Sequence, residues 1–113
     1  MKAISIRSPW WEKIISGEKT IETRTWKTKY RGQLLICASK PTGHAVAIAY
    51  LADCRPMTKA DEKAACCPVY PRANAWMLRN VMVLTKPFPV KGKLSLFDVQ
   101  PPTATVVVKD LKS

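Results

Sequence analysis

Acidic side chains are scarce in this chain: eight Asp and Glu stand against nineteen Lys and Arg in 113 residues, a formal net charge of +11. An excess of that size on a small protein favours polyanions, nucleic acid first among them, with acidic membranes, acidic proteins or plain solubility as competing explanations. Histidine is scarcer still, His44 being the only one. The four cysteines, Cys37, Cys54, Cys66 and Cys67, form no C-x-x-C pair, so a closed four-ligand zinc site would have to gather its ligands from scattered positions. Neither a metal nor a cofactor is expected. No uninterrupted apolar run approaches the roughly 20 residues that span a bilayer, which argues against a transmembrane segment and a membrane partner. No repeat, low-complexity tract or linker divides the chain, and 47% hydrophobic residues at this length suffice for one core but not two. One domain over residues 1–113 is expected. The start, Met1-Lys2-Ala3-Ile4-Ser5-Ile6-Arg7, meets charge before any apolar stretch of leader length, so the expectation is a cytoplasmic protein with reduced thiols.

The segment that carries most information is Gly17-Glu18-Lys19-Thr20-Ile21-Glu22-Thr23-Arg24. A glycine here ends a helix and leads into a strand, where alternation points Glu22, Arg24 and Trp26 to one face and Ile21, Thr23 and Thr25 to the other. An acid, a guanidinium and an indole on one face, with the Lys19 ammonium at its entrance, suit an anionic or aromatic partner that also forms hydrogen bonds. Nucleotides fit that description. Residues 1–31 hold eight basic side chains against three acidic ones, so the motif lies in the basic part of the chain.

The surrounding pattern predicts a strand at Ala3–Ile6, a helix from Pro9 capped by Ser8 and stopped at Gly17, and strands at Ile21–Trp26, Gln33–Ala38 and His44–Cys54. The continuous apolar run Leu34-Leu35-Ile36-Cys37 implies burial on both faces, and the alanines of the next strand imply close packing on theirs. Thr58 with Asp61 opens a second short helix through about Cys67. Strands return at Ala75–Thr85, with Asn80 marking a bulge, then at Leu94–Val99 and Thr103–Val108. The sum is an α+β fold, a small mixed β-barrel of about six strands flanked by two or three short helices.

In this order the segments Ser5-Ile6-Arg7-Ser8-Pro9-Trp10, Gly17-x-Lys19-x-x-Glu22-x-Arg24, Tyr30-Arg31-Gly32, Ala38-Ser39-Lys40, Ala75-Trp76-x-Leu78-x-Asn80 and Pro89-Val90-x-Gly92 with Leu96-Phe97-Asp98-Val99 resemble the ASCH domain, a member of the PUA-like superfamily. The resemblance implies a barrel with a cleft lined by the Gly-x-Lys-x-x-Glu-x-Arg segment. Family members bind RNA or nucleotides, some remove the acetyl group of N4-acetylcytidine, one branch cuts RNA, and others are coactivator modules. The acetylcytidine hydrolases carry a threonine three residues after the motif lysine; Glu22 stands there in this chain, and a carboxylate does not replace a hydroxyl nucleophile.

The candidate residues have competing uses. Lys19 holds a phosphate, acts as a base, or is a solvated turn lysine. Glu22 accepts hydrogen bonds from a base, serves as general acid or base, or pairs with Arg24 and Lys19 to organise the cleft. Arg24 presents a planar fork to a phosphate or to Glu22. Trp10 and Trp76 are candidates for stacking, although tryptophans in a small barrel are more often core. Tyr30 offers a hydroxyl near phosphate. Arg7 and Lys40 stand at the ends of apolar strands, where ligands are usually met, and Ser39 beside Lys40 donates a hydrogen bond or caps a turn. Asp61 and Glu62 are the downstream acids within reach of a catalytic role. The reading is an ASCH-type module that binds RNA or a modified nucleotide or nucleoside through a basic cleft. The alternative is a metal-independent hydrolase acting on RNA or an N-acylated nucleoside through Lys19, Glu22 and Arg24, and a protein partner is the third possibility.

Overall fold

Branched and apolar residues at every position of 34–37 have no solvent face to offer, and the sheet is built around them. The computed structural model describes residues 1–102 and the backbone of residues 107–109. The strands are β1 (Lys2–Ile6), β2 (Ile21–Arg24), β3 (Gly32–Ala38), β4 (His44–Pro56), β5 (Asn74–Pro89), β6 (Phe97–Asp98) and β7 (Val107–Lys109). Two short helices, α1 (Trp10–Ser16) and α2 (Glu62–Ala65), the latter preceded by a 3-10 turn at Lys59–Asp61, lie between β1 and β2 and between β4 and β5. The sheet order is β2-β5-β4-β3-β1-β6, with β7 on β5. Only the β1 and β3 pair is parallel; every other described pair is antiparallel.

β3 is buried on both sides, as its sequence requires. Leu34 and Ile36 join a core with Ile4, Ile6, Ile14 and Trp76, while Leu35 and Cys37 join Ala3, Ala45, Leu84 and Phe97 on the other face. Ala45, Ala47 and Ala49 of β4 are buried, and their small side chains let neighbouring layers approach. The bulge expected at Asn80 is present: Ile48 pairs with Met82 and Tyr50 with Arg79, one residue more on β5 than on β4, and Asn80 has φ 52°.

Several boundaries differ from the sequence expectation. Helix α1 begins at Trp10, and Ser8 caps nothing: its hydroxyl donates to Glu12 Oε2 at 2.6 Å. Strand β2 stops at Arg24, because Trp26 turns inward to pack edge-on against Trp76. β4 and β5 run longer than predicted, to 13 and 16 residues, since each stabilises the other's ends. The strand expected at Leu94–Val99 reduces to Phe97–Asp98, with Leu94 fully exposed in the preceding loop. The last predicted strand, Thr103–Val108, lies mostly outside the described residues.

The sheet bends into a barrel-like half-shell without closing. Among the described residues no ladder joins β1 to β2, and side chains bridge that seam instead: Arg24 Nη2 on β2 donates to the carbonyl of Ser5 on β1 at 2.8 Å. Helix α1 packs Ile14 into the core, and its Trp10 lines the cleft that opens at this gap.

Candidate functional site

Gly17 ends α1 with φ 85°, a left-handed conformation that glycine adopts without strain, and its N–H returns to the Ile14 carbonyl. The chain then turns under the helix, the Lys19 N–H bonding to the Lys13 carbonyl at 2.9 Å. Lys19 therefore points inward and is only 2% exposed. Its ammonium donates to the Ala65 carbonyl at the end of α2, lies 3.5 Å from Glu22 Oε1, and sits 5.2 Å from the centroid of the Trp10 ring. A carbonyl oxygen, a carboxylate oxygen and an aromatic face together make a fixed seat for a positive donor.

Three residues on, Glu22 is 4% exposed. Its Oε2 accepts from Arg24 Nη1, which also reaches the Thr23 carbonyl at 3.2 Å, while Nη2 takes Ser5. Lys19, Glu22 and Arg24 thus form one row of positive, negative and positive groups, the first two buried and Arg24 partly exposed. Each carboxylate oxygen faces one cation and keeps a further lone-pair direction. Removing one member of such a row leaves a buried charge uncompensated, at a cost of about 3–5 kcal/mol.

Above this row opens a cleft of about 600 Å³. Trp10 of α1 lines it, as do Arg7 after β1, Ser39 and Lys40 after β3, and Lys19, Glu22 and Arg24 at its floor. The structure thus brings seven of the nine sequence-derived candidates into one place. Arg7, Lys40 and Lys93, all exposed, have no ion pair with any described carboxylate.

The other two candidates lie elsewhere. Trp76 stands opposite Glu22 in the β2 and β5 ladder, hence on the same face, yet it is fully buried beneath the row. Its ring meets Trp26 edge-on, centroids 4.8 Å apart at 83°, which leaves no face for a base. Tyr30 folds back on its own turn, its hydroxyl donating to the Gln33 carbonyl at 2.5 Å and its ring covering Gly32. The downstream acids are engaged too. Asp61 accepts both Arg55 nitrogens at 2.8 Å, which together with the Thr58 N–H hold its carboxyl well below the usual carboxylate range, and Glu62 accepts the Val69 N–H at 2.7 Å. Asp61 fixes the turn into α2, and with it the Ala65 carbonyl that Lys19 uses.

The cleft also contains residues that the sequence reading passed over. Cys67 and Tyr70 reach it from the segment after α2, and Lys93 and Leu94 from the loop before β6. Cys67 Sγ lies 3.9 Å from Thr23 Oγ1. Only the basic Lys91-Gly92-Lys93 turn held a signal that could have flagged one of these; the rest arrive through tertiary packing.

Comparisons with known proteins bear on the family and the fold. Residues 4–88 match the family model of the ASCH domain. ASCH from Zymomonas mobilis superposes with a TM-score of 0.73 at 18% identity, over 88% of this chain and 87% of that one. A tyrosine-to-phenylalanine variant of that protein gives 0.69 at 18% identity over 88% and 89%, and a serine-to-alanine variant 0.58 at 18% over 95% and 87%. Among curated proteins none matches. At that identity the solved structures speak for the fold alone, but the family model spans most of β1 to β5, the motif and most of the cleft, and the chain belongs to the ASCH domain family, which is PUA-like and associated with RNA binding.

Proposed function

We propose that the cleft binds RNA or a modified nucleoside or nucleotide. The observation that carries this reading is the row of Lys19, Glu22 and Arg24 at the floor of a cleft whose rim bears three cations without an ion-pair partner among the described residues. A donor, acceptor and donor in sequence match the edge of a nucleobase, where amino groups alternate with ring nitrogens and carbonyls. The free lone pairs of Glu22 accept from an exocyclic amine, while Lys19 and Arg24 donate. A cleft of about 600 Å³ is the size that encloses a nucleotide. Trp10 forms one wall, although the Lys19 ammonium already occupies one face of its ring. Base stacking is therefore left to the opposite face or to Tyr70.

The alternative is a metal-independent hydrolase acting on RNA or an N-acylated nucleoside. It draws on Lys19, Glu22 and Arg24, and the hydroxyl of Thr23 and the thiol of Cys67 meet on the cleft wall beside them. Both oxygens of Glu22 already face cations, which favours recognition over proton transfer. An NMR titration of labelled protein with N4-acetylcytidine and with a short RNA separates the readings. Shifts centred on residues 17–26 with unchanged ligand support binding; acetate release or RNA cleavage makes the protein a hydrolase; absence of shifts with both ligands rejects the proposal.

A further inference from the structure

A second hollow of about 330 Å³ adjoins the first, with Ala38, Gly43, Val90 and Gly92 in its lining. The two share Ser5, Ser39, Lys40, Lys93 and Leu94, which therefore stand on the partition between them. Two of those five are cations without an ion-pair partner among the described residues.

The partition is held in place from both sides. Lys40 belongs to the tight turn after β3, where the Thr42 N–H bonds to the Ser39 carbonyl at 3.1 Å. Lys93 belongs to the loop before β6, which is fixed by the Val90 N–H to the Gly43 carbonyl at 3.0 Å. Next to Lys93, Gly92 lies so close to β1 that a Cβ there would meet the Ser5 hydroxyl. Any side chain at Gly92 would have to displace that hydroxyl, so glycine lets the loop beside Lys93 lie directly against β1. Leu94 follows, fully exposed, an apolar side chain standing beside two ammonium groups.

Two hollows separated by a cationic partition with an apolar crest have the layout of two nucleosides joined by one phosphate. Resting on the nucleotide reading above, we propose that the site takes two consecutive nucleotides of single-stranded RNA, the phosphodiester between them held by Lys40 and Lys93. One base lies over Lys19, Glu22 and Arg24. The other enters the Val90 and Gly43 hollow and packs against Leu94. A free nucleoside fills only the first position and gains nothing from the partition.

Calorimetric titration of the full chain with the four nucleosides and the four homodinucleoside monophosphates, each at 50 and 200 mM salt on the order of millimolar ligand, tests this. At least one dinucleotide should bind about tenfold more tightly than its nucleoside, the gain expected of one charge-assisted phosphate contact. That gain should fall with salt at a logarithmic slope of about −0.7, the value for one neutralised phosphate of a single strand. The Lys40→Ala/Lys93→Ala variant should lose most of the gain. Lys59→Ala/Lys86→Ala, an equal change in charge at exposed positions outside both hollows, should keep it. Nucleosides that bind as tightly as dinucleotides overturn the two-nucleotide footprint and leave the single-nucleotide reading standing. Equal losses in the two double variants overturn it as well, by showing that overall charge is responsible. If neither nucleosides nor dinucleotides bind, both the footprint and the nucleotide reading fall.

Discussion

Arg24 on β2 donates from Nη2 to the carbonyl of Ser5 on β1 at 2.8 Å, across a seam that no ladder closes among the described residues. With Nη1 it holds Glu22. One guanidinium therefore supports the half-shell and orders the cleft floor, so fold stability and site geometry depend on the same side chain. Arg24→Ala should lower unfolding stability by about 2–4 kcal/mol, from the lost partner of a buried carboxylate and an orphaned carbonyl. Arg24→Lys should recover less than half of it, because a point charge cannot serve both acceptors. Urea denaturation of the two variants measures this.

Glu22 is a buried carboxylate between two cations, Lys19 and Arg24, so its charge matters more than its shape. Glu22→Gln keeps the shape and leaves Lys19 and Arg24 facing each other without a counterion. The expected result is a loss of about 3–5 kcal/mol in stability. Ligand affinity should drop with it if Glu22 accepts a hydrogen bond from the base. If the protein is a hydrolase, turnover disappears while much of the affinity survives, and a combined binding and product assay shows which holds.

Trp76 separates core from site. It is fully buried and its indole N–H has no hydrogen-bond partner among the described residues. Trp76→Phe removes an unsatisfied donor along with some packing volume, two effects of opposite sign, each of about 1–3 kcal/mol. The net change in melting stability should be small, and ligand affinity should follow the wild type. A large loss of affinity without a loss of stability would return Trp76 to the site.

Much of this arrangement is legible in the sequence because it is local. Gly17 as a helix stop, the alternation that brings Glu22 and Arg24 to one face, and the doubly buried run at Leu34–Cys37 each follow from periodicity and backbone preference. Depth is another matter. Strand pairing sets Trp76 opposite Glu22 on one face, but how far each lies from solvent depends on the tertiary packing around them, which no local pattern carries. Tyr30 follows the same logic: a hydroxyl between two basic residues suggests phosphate, yet in the fold it donates to the backbone carbonyl of Gln33, three residues away. Cys67, Tyr70 and Leu94 reach the cleft from irregular segments, for which no period exists to read.

Asp61 gives the acid limb of stability a specific source. Its folded carboxyl titrates below the ordinary range because Arg55 and the Thr58 N–H stabilise the carboxylate. A depressed folded value means that the unfolded chain binds the proton first, so this contribution is complete above about pH 5 and shrinks as pH falls through and below about 4. Asp61→Asn should reduce stability at pH 7 by about 1–3 kcal/mol and should flatten the fall between about pH 4 and 2. Denaturation curves of parent and variant across that interval show it, and parallel curves would remove Asp61 as the source.

Cys37 provides the opposite limb. Its thiol is 2% exposed within the second core cluster, and burial pushes it from the ordinary 9.0 up to about 12. The folded chain keeps a proton that the unfolded chain releases, so the contribution of Cys37 is intact below about pH 9 and is lost as pH rises toward 12. The loss is at most about 1.4 kcal/mol per pH unit in that window. Cys37→Ala should make stability less dependent on pH above 9 relative to the parent, at the cost of a small packing defect visible at pH 7. The same burial predicts slow chemistry. At pH 8 a disulfide reagent should modify the half-buried Cys54, Cys66 and Cys67 in the native protein, and Cys37 only at the rate of unfolding. Prompt modification of Cys37 under native conditions would show that the β3 layer opens locally, and the alkaline limb would then have to come from other groups.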